Sequence, residues 1–594
     1  MITELPASLS FLNDAPFAAS DRMLAFHLKS VWSETEPMIL IASALANLAL
    51  REGNAYLDLK TRPESLDIVP SLKWPTNEEW AELFKRSQVV DSDSGERGLP
   101  LVFVAPDSLY LNKYYAYEKE LASIIIERTR ATFPESVQTS QASGQLSFDA
   151  LMGVADPSER GKPRPDPVER ALTRPFYVIT GGPGTGKTTL ALRYLNRLMD
   201  SWDKPIPPFF ATVAPTGKAA ARLAESLANG VDRLQLEDER KQLLRGIPCL
   251  TIHRLLGPLP HRASFRRDAR NPIHQDAIVI DESSMIDLPL MLKLLQATPK
   301  SCRILLLGDK DQLASVNVGS VLADILKAGE DIHSPLRNSI ERLTRTYRFS
   351  EDSAIYRLCT FAQSGDSEGF EALLTQPPED LEFHPMSADG ARLPQAATQS
   401  ALQRHQALLN EPSAEAALAR LTDAITLTPT RQGSFGSMRF NQTVERAIRE
   451  RDQLSPFEPI NAFPIIVLEN NYELELFNGD LGIVWLEGEE GAAYAYFAGS
   501  DGSTRRFRLS ELPRHEAAFA LTIHKSQGSE FEHVTCLFGP GESQLHTREL
   551  LYTAFSRAKT KLTLFGDLER LSDSIQRSAK RATRLAELIN RRAP

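Results

Sequence analysis

Tyr177-Val178-Ile179-Thr180-Gly181-Gly182-Pro183-Gly184-Thr185-Gly186-Lys187-Thr188-Thr189-Leu190 joins an apolar, strand-like run to a glycine-rich turn and the start of a helical stretch. The turn fits G-x-x-x-x-G-K-[ST], and its place between strand and helix makes the match credible. Glycines let successive backbone N–H groups turn inward onto phosphate oxygens. Lys187 reaches the β- and γ-phosphates and Thr188 ligates Mg²⁺. Residues Gly181 to Thr189 are therefore the candidate nucleotide loop, with ATP and Mg²⁺ as cofactors.

Downstream, Ala277-Ile-Val-Ile-Asp281-Glu282 is a buried strand ending in two carboxylates. In open parallel sheets ligands sit at the carboxyl ends of strands. Asp281 suits Mg²⁺ through water, and Glu282 suits orienting or deprotonating the attacking water. A third strand, Ile304-Leu-Leu-Leu-Gly-Asp-Lys-Asp-Gln312, ends in a neutral amide that can donate and accept. Gln312 suits a γ-phosphate sensor that also touches a neighbouring domain. Together the three make an NTPase, without saying what the energy is for. Two further strand-to-helix junctions narrow that. Ala214-Pro-Thr216-Gly217-Lys218-Ala-Ala-Ala-Arg222 offers a helix N-terminus to a nucleic-acid phosphate. Thr251-Ile-His253-Arg254 sets a hydroxyl, an imidazole and a guanidinium at another. Just after the second, His261 to Arg270 carries four arginines against one aspartate.

Around these motifs the chain reads as α/β. Strands are expected at 176–180, 209–214, 277–281 and 303–307, then at 423–428, 517–523, 533–538 and 561–565. Alternating apolar residues over 462–510, with turns at Asn478-Gly479-Asp480 and Asp501-Gly502, give a small antiparallel insert. Residues 1–125 read as mainly helical, with Met38 to Leu50 a buried helix. Residues 126–170 read as a linker ending in Gly161-Lys-Pro-Arg-Pro-Asp-Pro167, since alternate prolines block helix and sheet. The 594 residues carry 67 basic and 77 acidic side chains, a net charge of −10, which excludes a wholly basic nucleic-acid coat but not a local basic groove. Four cysteines are too few for a disulfide framework, and neither they nor the eleven histidines show metal-ligand spacing. No signal peptide is expected at the N-terminus, and Met38 to Leu50 falls short of the roughly 20 residues that cross a bilayer. A cytoplasmic location with no membrane contact is expected.

Three later stretches carry a resemblance. Leu343-Thr-Arg-Thr-Tyr-Arg348-Phe349, Leu521-Thr522-Ile-His524-Lys525-Ser-Gln527-Gly-Ser-Glu530 and Arg548-Glu-Leu-Leu-Tyr552-Thr-Ala-Phe-Ser-Arg557-Ala558 resemble motifs IV, V and VI of superfamily 1 helicases. Combined with GGPGTGKT, APTGKAAARL, TIHRLL, IDESSM, GDKDQL and LFNGDLG, they resemble the RecD branch, from about residue 40 to 565. The resemblance implies two RecA-like domains, at 171–335 (with a small basic insert at about 225–272) and 336–594 (with an SH3-like insert at about 440–515). It implies that residues 1–125 dock on partners. Arg348 and Arg557 become arginine fingers on the γ-phosphate. Thr522, His524 and Lys525 join Thr216, Gly217, Lys218, Thr251, His253 and Arg254 as DNA contacts, and Glu530 lies near the ribose. One departure is that residues 160–175 hold no glutamine to read adenine.

The family's activity follows as an expectation: an ATP-dependent 5′→3′ DNA helicase within a RecBCD-type helicase/nuclease, serving double-strand break repair and homologous recombination. Its partners are DNA with a 5′ end and RecB-like and RecC-like subunits in a heterotrimer, and the nuclease site lies outside this chain. The longer, stand-alone RecD type carries helix-hairpin-helix repeats, and residues 1–170 show none. A stand-alone helicase and a DNA-binding structural subunit are the rival readings.

Overall fold

The strand that leads into the glycine-rich loop, Phe176–Gly181, lies within a six-stranded sheet whose every pairing is parallel. Its order is Ile340–Leu343, Phe176–Gly181, Arg303–Gly308, Ala277–Ile280, Phe210–Ala214, Cys249–Thr251. The central strands are apolar on both faces because helices cover both. Lys187–Asp200 and Gly217–Arg233 bury one face and Leu288–Ala297 and Val321–Ala328 the other. The computed structural model describes residues 7–92, 95–131, 166–202, 206–259, 262, 264–387, 392–471, 473–488, 491–499, 503–539, 546–579 and 581–591.

A second parallel sheet runs Leu381–Pro385, Ala558–Gly566, Phe531–Leu537, Ala424–Thr428, Ala520–Thr522. An antiparallel five-stranded sheet is inserted before its edge strand, in the order Thr504–Arg508, Ala492–Ala498, Leu481–Glu487, Phe463–Val467, His515–Ala517. The chain thus holds two parallel-sheet α/β domains, with the glycine-rich loop at the carboxyl edge of the first sheet. No helix of the described residues is long and apolar enough to cross a membrane.

Several boundaries move. The first domain extends past 335, because Ile340–Leu343 pairs with the loop strand. The stretch 225–245 is helical, not a basic insert: Leu227, Val231, Leu234 and Leu244 pack into the first domain's core. The β insert starts near 463 rather than 440, since Phe440, Val444 and Ile448 of the helix Ser437–Asp452 pack against Phe519 and Leu537 of the second domain. The linker is shorter at both ends, for helices occupy Asn112–Arg130 and Pro167–Leu172. Residues 132–165, most of the expected linker, lie outside the described residues, as do His261, Ala263 and the turn Asp501-Gly502.

The N-terminal region is helix and sheet together. Its four strands run Leu57–Asp58, Ser108–Leu111, Leu101–Val104, Val90–Asp91. Leu121, Ala122 and Ile125 share one apolar cluster with Met291, Leu294 and Cys302 of the first parallel-sheet domain. The chain's end does not stay with the second domain. Leu585, Ala586 and Ile589 join that same cluster, and Arg581 donates to the backbone oxygens of Asn317 and Gly319. The C-terminal segment is therefore a strap across the two domains.

Candidate active site

The loop is built as its glycines require. Gly184 and Gly186 adopt φ of +71° and +82°, the left-handed region open to glycine, and Gly186 caps the helix that Lys187 begins. Lys187 Nζ donates to the carbonyls of Gly181 at 2.6 Å and Gly182 at 2.9 Å, and Thr185 Oγ1 donates to Gly182 at 2.8 Å. Thr188 stands at the helix start and Asp281 at the end of its strand, offering the hard oxygen donors that suit Mg²⁺.

Asp281 accepts the backbone N–H of Glu282 at 2.8 Å. Burial, then the neighbouring Glu282 carboxylate, pushes the Asp281 carboxyl up. Glu282 itself holds φ +49°, a left-handed non-glycine residue of the kind that clusters at functional sites. Behind it Tyr552 donates to Asp309 Oδ2 at 2.7 Å and Gln312 Nε2 to the same oxygen at 3.2 Å. Burial raises the Asp309 carboxyl. Gln312 Oε1 is buried without a hydrogen-bond partner among the described residues, which leaves the expected sensor its acceptor side.

The second domain reaches the loop through the crossing segment after Leu343. Tyr347 N donates to Gly184 O at 2.8 Å, and Thr346 Oγ1 to Pro183 O at 3.3 Å. A methyl added at Gly184 would overlap Arg348 Cβ. Arg348 Nη2 donates to Glu530 Oε1 at 2.6 Å, and Arg222 Nη2 pairs with Glu530 Oε2 at 2.6 Å. Burial works to raise the Glu530 carboxyl, but Arg222, Arg348 and Arg557 together hold it below its ordinary value. Glu530 is thus the anion held between Arg222 and Arg348, with the charge of Arg557 nearby. Arg557 is fully enclosed: it donates to Thr553 O, Ser529 O and Ser556 Oγ, each at 3.1 Å. Its fork bonds within its own domain while Glu282 of the first domain lies in its electrostatic reach, and Arg348 Cβ lies against Gly184 of the loop.

The expected DNA residues divide. The Oγ1 atoms of Thr216, Thr251 and Thr522 each accept a backbone N–H three residues on, at 3.2, 3.1 and 3.3 Å. They shape helix and turn starts. His253 and Arg254 are exposed. Lys525 Nζ is paired with Glu516 at 2.8 Å. Burial, with Arg581 nearby, holds His524 below the usual imidazole range. Lys218 is covered: its Nζ is buried with no hydrogen-bond partner among the described residues, and burial lowers it to about 8 despite the pull of Asp480. The cover is the insert's turn, for a methyl at Gly217 would stand 2.6 Å from Phe477 Cβ. Arg222, Tyr552 and the turn Phe477–Asp480 were missed as functional residues. All lie inside quoted motifs, but nothing local signals contacts that span the chain.

A phosphate loop at a cleft between two parallel-sheet domains, with an arginine brought to it from across the cleft, defines a two-domain P-loop nucleotide hydrolase. Residues 166–318 match the family described as AAA domain, and residues 517–565 the UvrD-like helicase C-terminal domain. The RecBCD enzyme subunit RecD of Mycolicibacterium smegmatis is 34% identical over 581 residues, covering 96% of this chain and 97% of that one. That of Haemophilus influenzae is 33% identical, covering 71% of each. The ATP-dependent RecD2 DNA helicase of Deinococcus radiodurans is 28% identical, covering 81% of this chain and 58% of that one. The chain belongs to the RecD family and is an ATP-dependent DNA helicase of recombinational repair.

Proposed function

We propose that this chain is the 5′→3′ motor of a RecBCD-type complex, acting at duplex ends beside RecB-like and RecC-like subunits in the cytoplasm. The observation that carries the motor reading is the apposition of Arg348 to the phosphate loop, with Tyr347 bonded to Gly184. Lys187 binds the β- and γ-phosphates, and Thr188 and Asp281 hold Mg²⁺, which supplies charge neutralisation when bound. Glu282 orients the attacking water, Gln312 senses the γ-phosphate, and Arg348, backed by Arg557, stabilises the charge that spreads in the transition state. Closure on ATP and reopening after hydrolysis step the two domains along one strand. The strand runs over Thr216, Gly217, Thr251, His253, Arg254, Thr522 and Lys525, with Lys218 joining once the insert turn moves. The insert serves as an SH3-like module, residues 1–111 as the docking face, and the nuclease belongs to a partner.

Unwinding of 5′-tailed but not 3′-tailed duplexes tests the polarity, and co-purification from the native cell tests the complex. Single-strand affinity that falls steeply with salt is expected, because phosphate contacts release counterions. Equal unwinding of both tails, or isolation without partners, would redirect the reading to a stand-alone helicase.

A further inference from the structure

The helix Gly217–Arg233 begins at the proposed DNA track and passes beside the second-domain stretch that ends in Glu530. At 1.5 Å of rise per residue, Arg222 lies roughly 7 Å along the axis from Gly217. There it grips the motif that ends in Glu530. Arg222 Nη1 donates to Gly528 O at 2.7 Å and Nη2 pairs with Glu530 Oε2 at 2.6 Å. The backbones run close as well, since a methyl at Gly528 would stand 3.7 Å from Ala219 Cβ. Glu530 divides its carboxylate: one oxygen takes Arg222, and the other takes Arg348 at 2.6 Å. Arg348 keeps Nη1 buried with no hydrogen-bond partner among the described residues. A buried, orphaned cationic donor is costly unless a ligand or a second state uses it.

We propose that Arg222 is a positioning residue that couples the DNA track to ATP hydrolysis, fixing through Glu530 where Arg348 stands against the phosphate loop. This rests on the motor reading given above. The geometry favours a relay over a passive clasp. A clasp needs only Arg222 on Glu530, whereas here one carboxylate bridges a guanidinium on the DNA-side helix and a guanidinium at the loop. Arginine's planar fork, with one nitrogen on a backbone carbonyl and the other on the carboxylate, transmits direction as well as charge. A shift of the helix on DNA binding therefore carries Glu530 and moves Arg348, and displacements of about 1 Å at a catalytic group change rates by about 100-fold.

The test uses the full chain, with steady-state ATPase measured with and without oligothymidylate and strand affinity measured without nucleotide. Arg222→Ala should cut the DNA-stimulated kcat by about tenfold or more. KM for ATP and nucleotide-free strand affinity should stay within about threefold, because Arg222 touches neither ligand. Arg222→Lys should recover part of the stimulation. Arg222→Ala combined with Glu530→Gln should be no slower than Glu530→Gln alone, as two links of one chain are not additive. An unchanged ratio of stimulated to basal turnover would overturn the proposal, as would a strand affinity that falls in step with kcat. Additive losses in the double variant would also overturn it. Lys187→Ala in the same assays keeps the two ideas apart: turnover surviving that change refutes the motor reading itself.

Discussion

Gly184→Ala isolates the contact that makes the cleft a catalytic site. Gly184 sits at φ +71°, and a side chain there costs roughly 1–2 kcal/mol in the left-handed region. The added methyl would also overlap Arg348 Cβ, so the crossing segment must retreat and the Tyr347 N to Gly184 O bond of 2.8 Å is lost. That bond is worth about 1 kcal/mol. The competent arrangement is thus disfavoured by roughly 2–3 kcal/mol, which lowers kcat by about 30- to 150-fold at 1.4 kcal/mol per decade. The loop lies outside the apolar clusters and can relax locally, so Tm should fall by only about 2–4 °C. The assay is DNA-stimulated ATPase at saturating ATP, run beside a thermal melt. Gly98→Ala is the control, because Gly98 has φ +70° with nothing within 4 Å of an added methyl. It imposes the same backbone strain far from the cleft and should keep full turnover. If Gly184→Ala turned over within about threefold of the parent, the apposition of Arg348 and loop would not be the catalytic state.

Lys187→Ala should abolish ATP hydrolysis, read as loss of phosphate release at any DNA concentration. Arg557→Ala should lose turnover by ~10³, and because its fork ties Ser529, Thr553 and Ser556 together it should also lower Tm, as a melt will show. Lys218 titrates near 8 in the free protein and a DNA phosphate favours its charged form, so strand affinity should be level below about pH 8 and weaken above it. Lys218→Arg should remove that dependence in an anisotropy titration, because guanidinium stays charged. Deleting residues 1–125 should abolish soluble ATPase, since it removes Leu121, Ala122 and Ile125 from the first domain's core at about 2–5 kcal/mol for each large side chain; a soluble, active truncation would show that this packing is dispensable.

Strands buried on both faces were legible because they are continuous apolar runs, as in Ala277–Ile280 and Ile304–Leu307. A polar edge strand was not. Ile340–Leu343 reads Ile-Glu-Arg-Leu, with no fully buried residue, and only its pairing with the loop strand reveals it. Missing it put the domain boundary too early. The site's chemistry was legible wherever one strand, turn and helix hold it, as in Gly181–Thr189 and Asp281-Glu282. It was not legible where partners lie far apart: Arg222 and Gly528 are 306 residues apart, Tyr552 and Asp309 243. Lys218 shows the same limit from the other side. A lysine at a helix start reads as exposed, and a turn some 260 residues later buries it.

The way the two domains meet explains why nucleotide can move them. Among the described residues their apolar clusters are almost separate, Leu313 alone joining the second domain's core from the first. Across the cleft the links are polar: Leu313 N to Thr553 Oγ1 at 2.9 Å, Gln527 Nε2 to Leu313 O at 3.0 Å, Tyr552 to Asp309 at 2.7 Å, and Arg222 to Gly528 at 2.7 Å. Each is worth about 1 kcal/mol net, because water replaces it on opening. Breaking these four costs on the order of 4 kcal/mol, about a millimolar binding energy, and the Arg222–Glu530, Tyr347–Gly184 and Thr346–Pro183 contacts add to it. An apolar interface of the same extent would not reopen at each turnover. The C-terminal strap adds the missing constraint. Arg581 holds the carbonyls of Asn317 and Gly319 while Leu585 and Ile589 sit in the first domain's core, so one edge stays fastened by hydrophobic burial while the polar cleft is free to part.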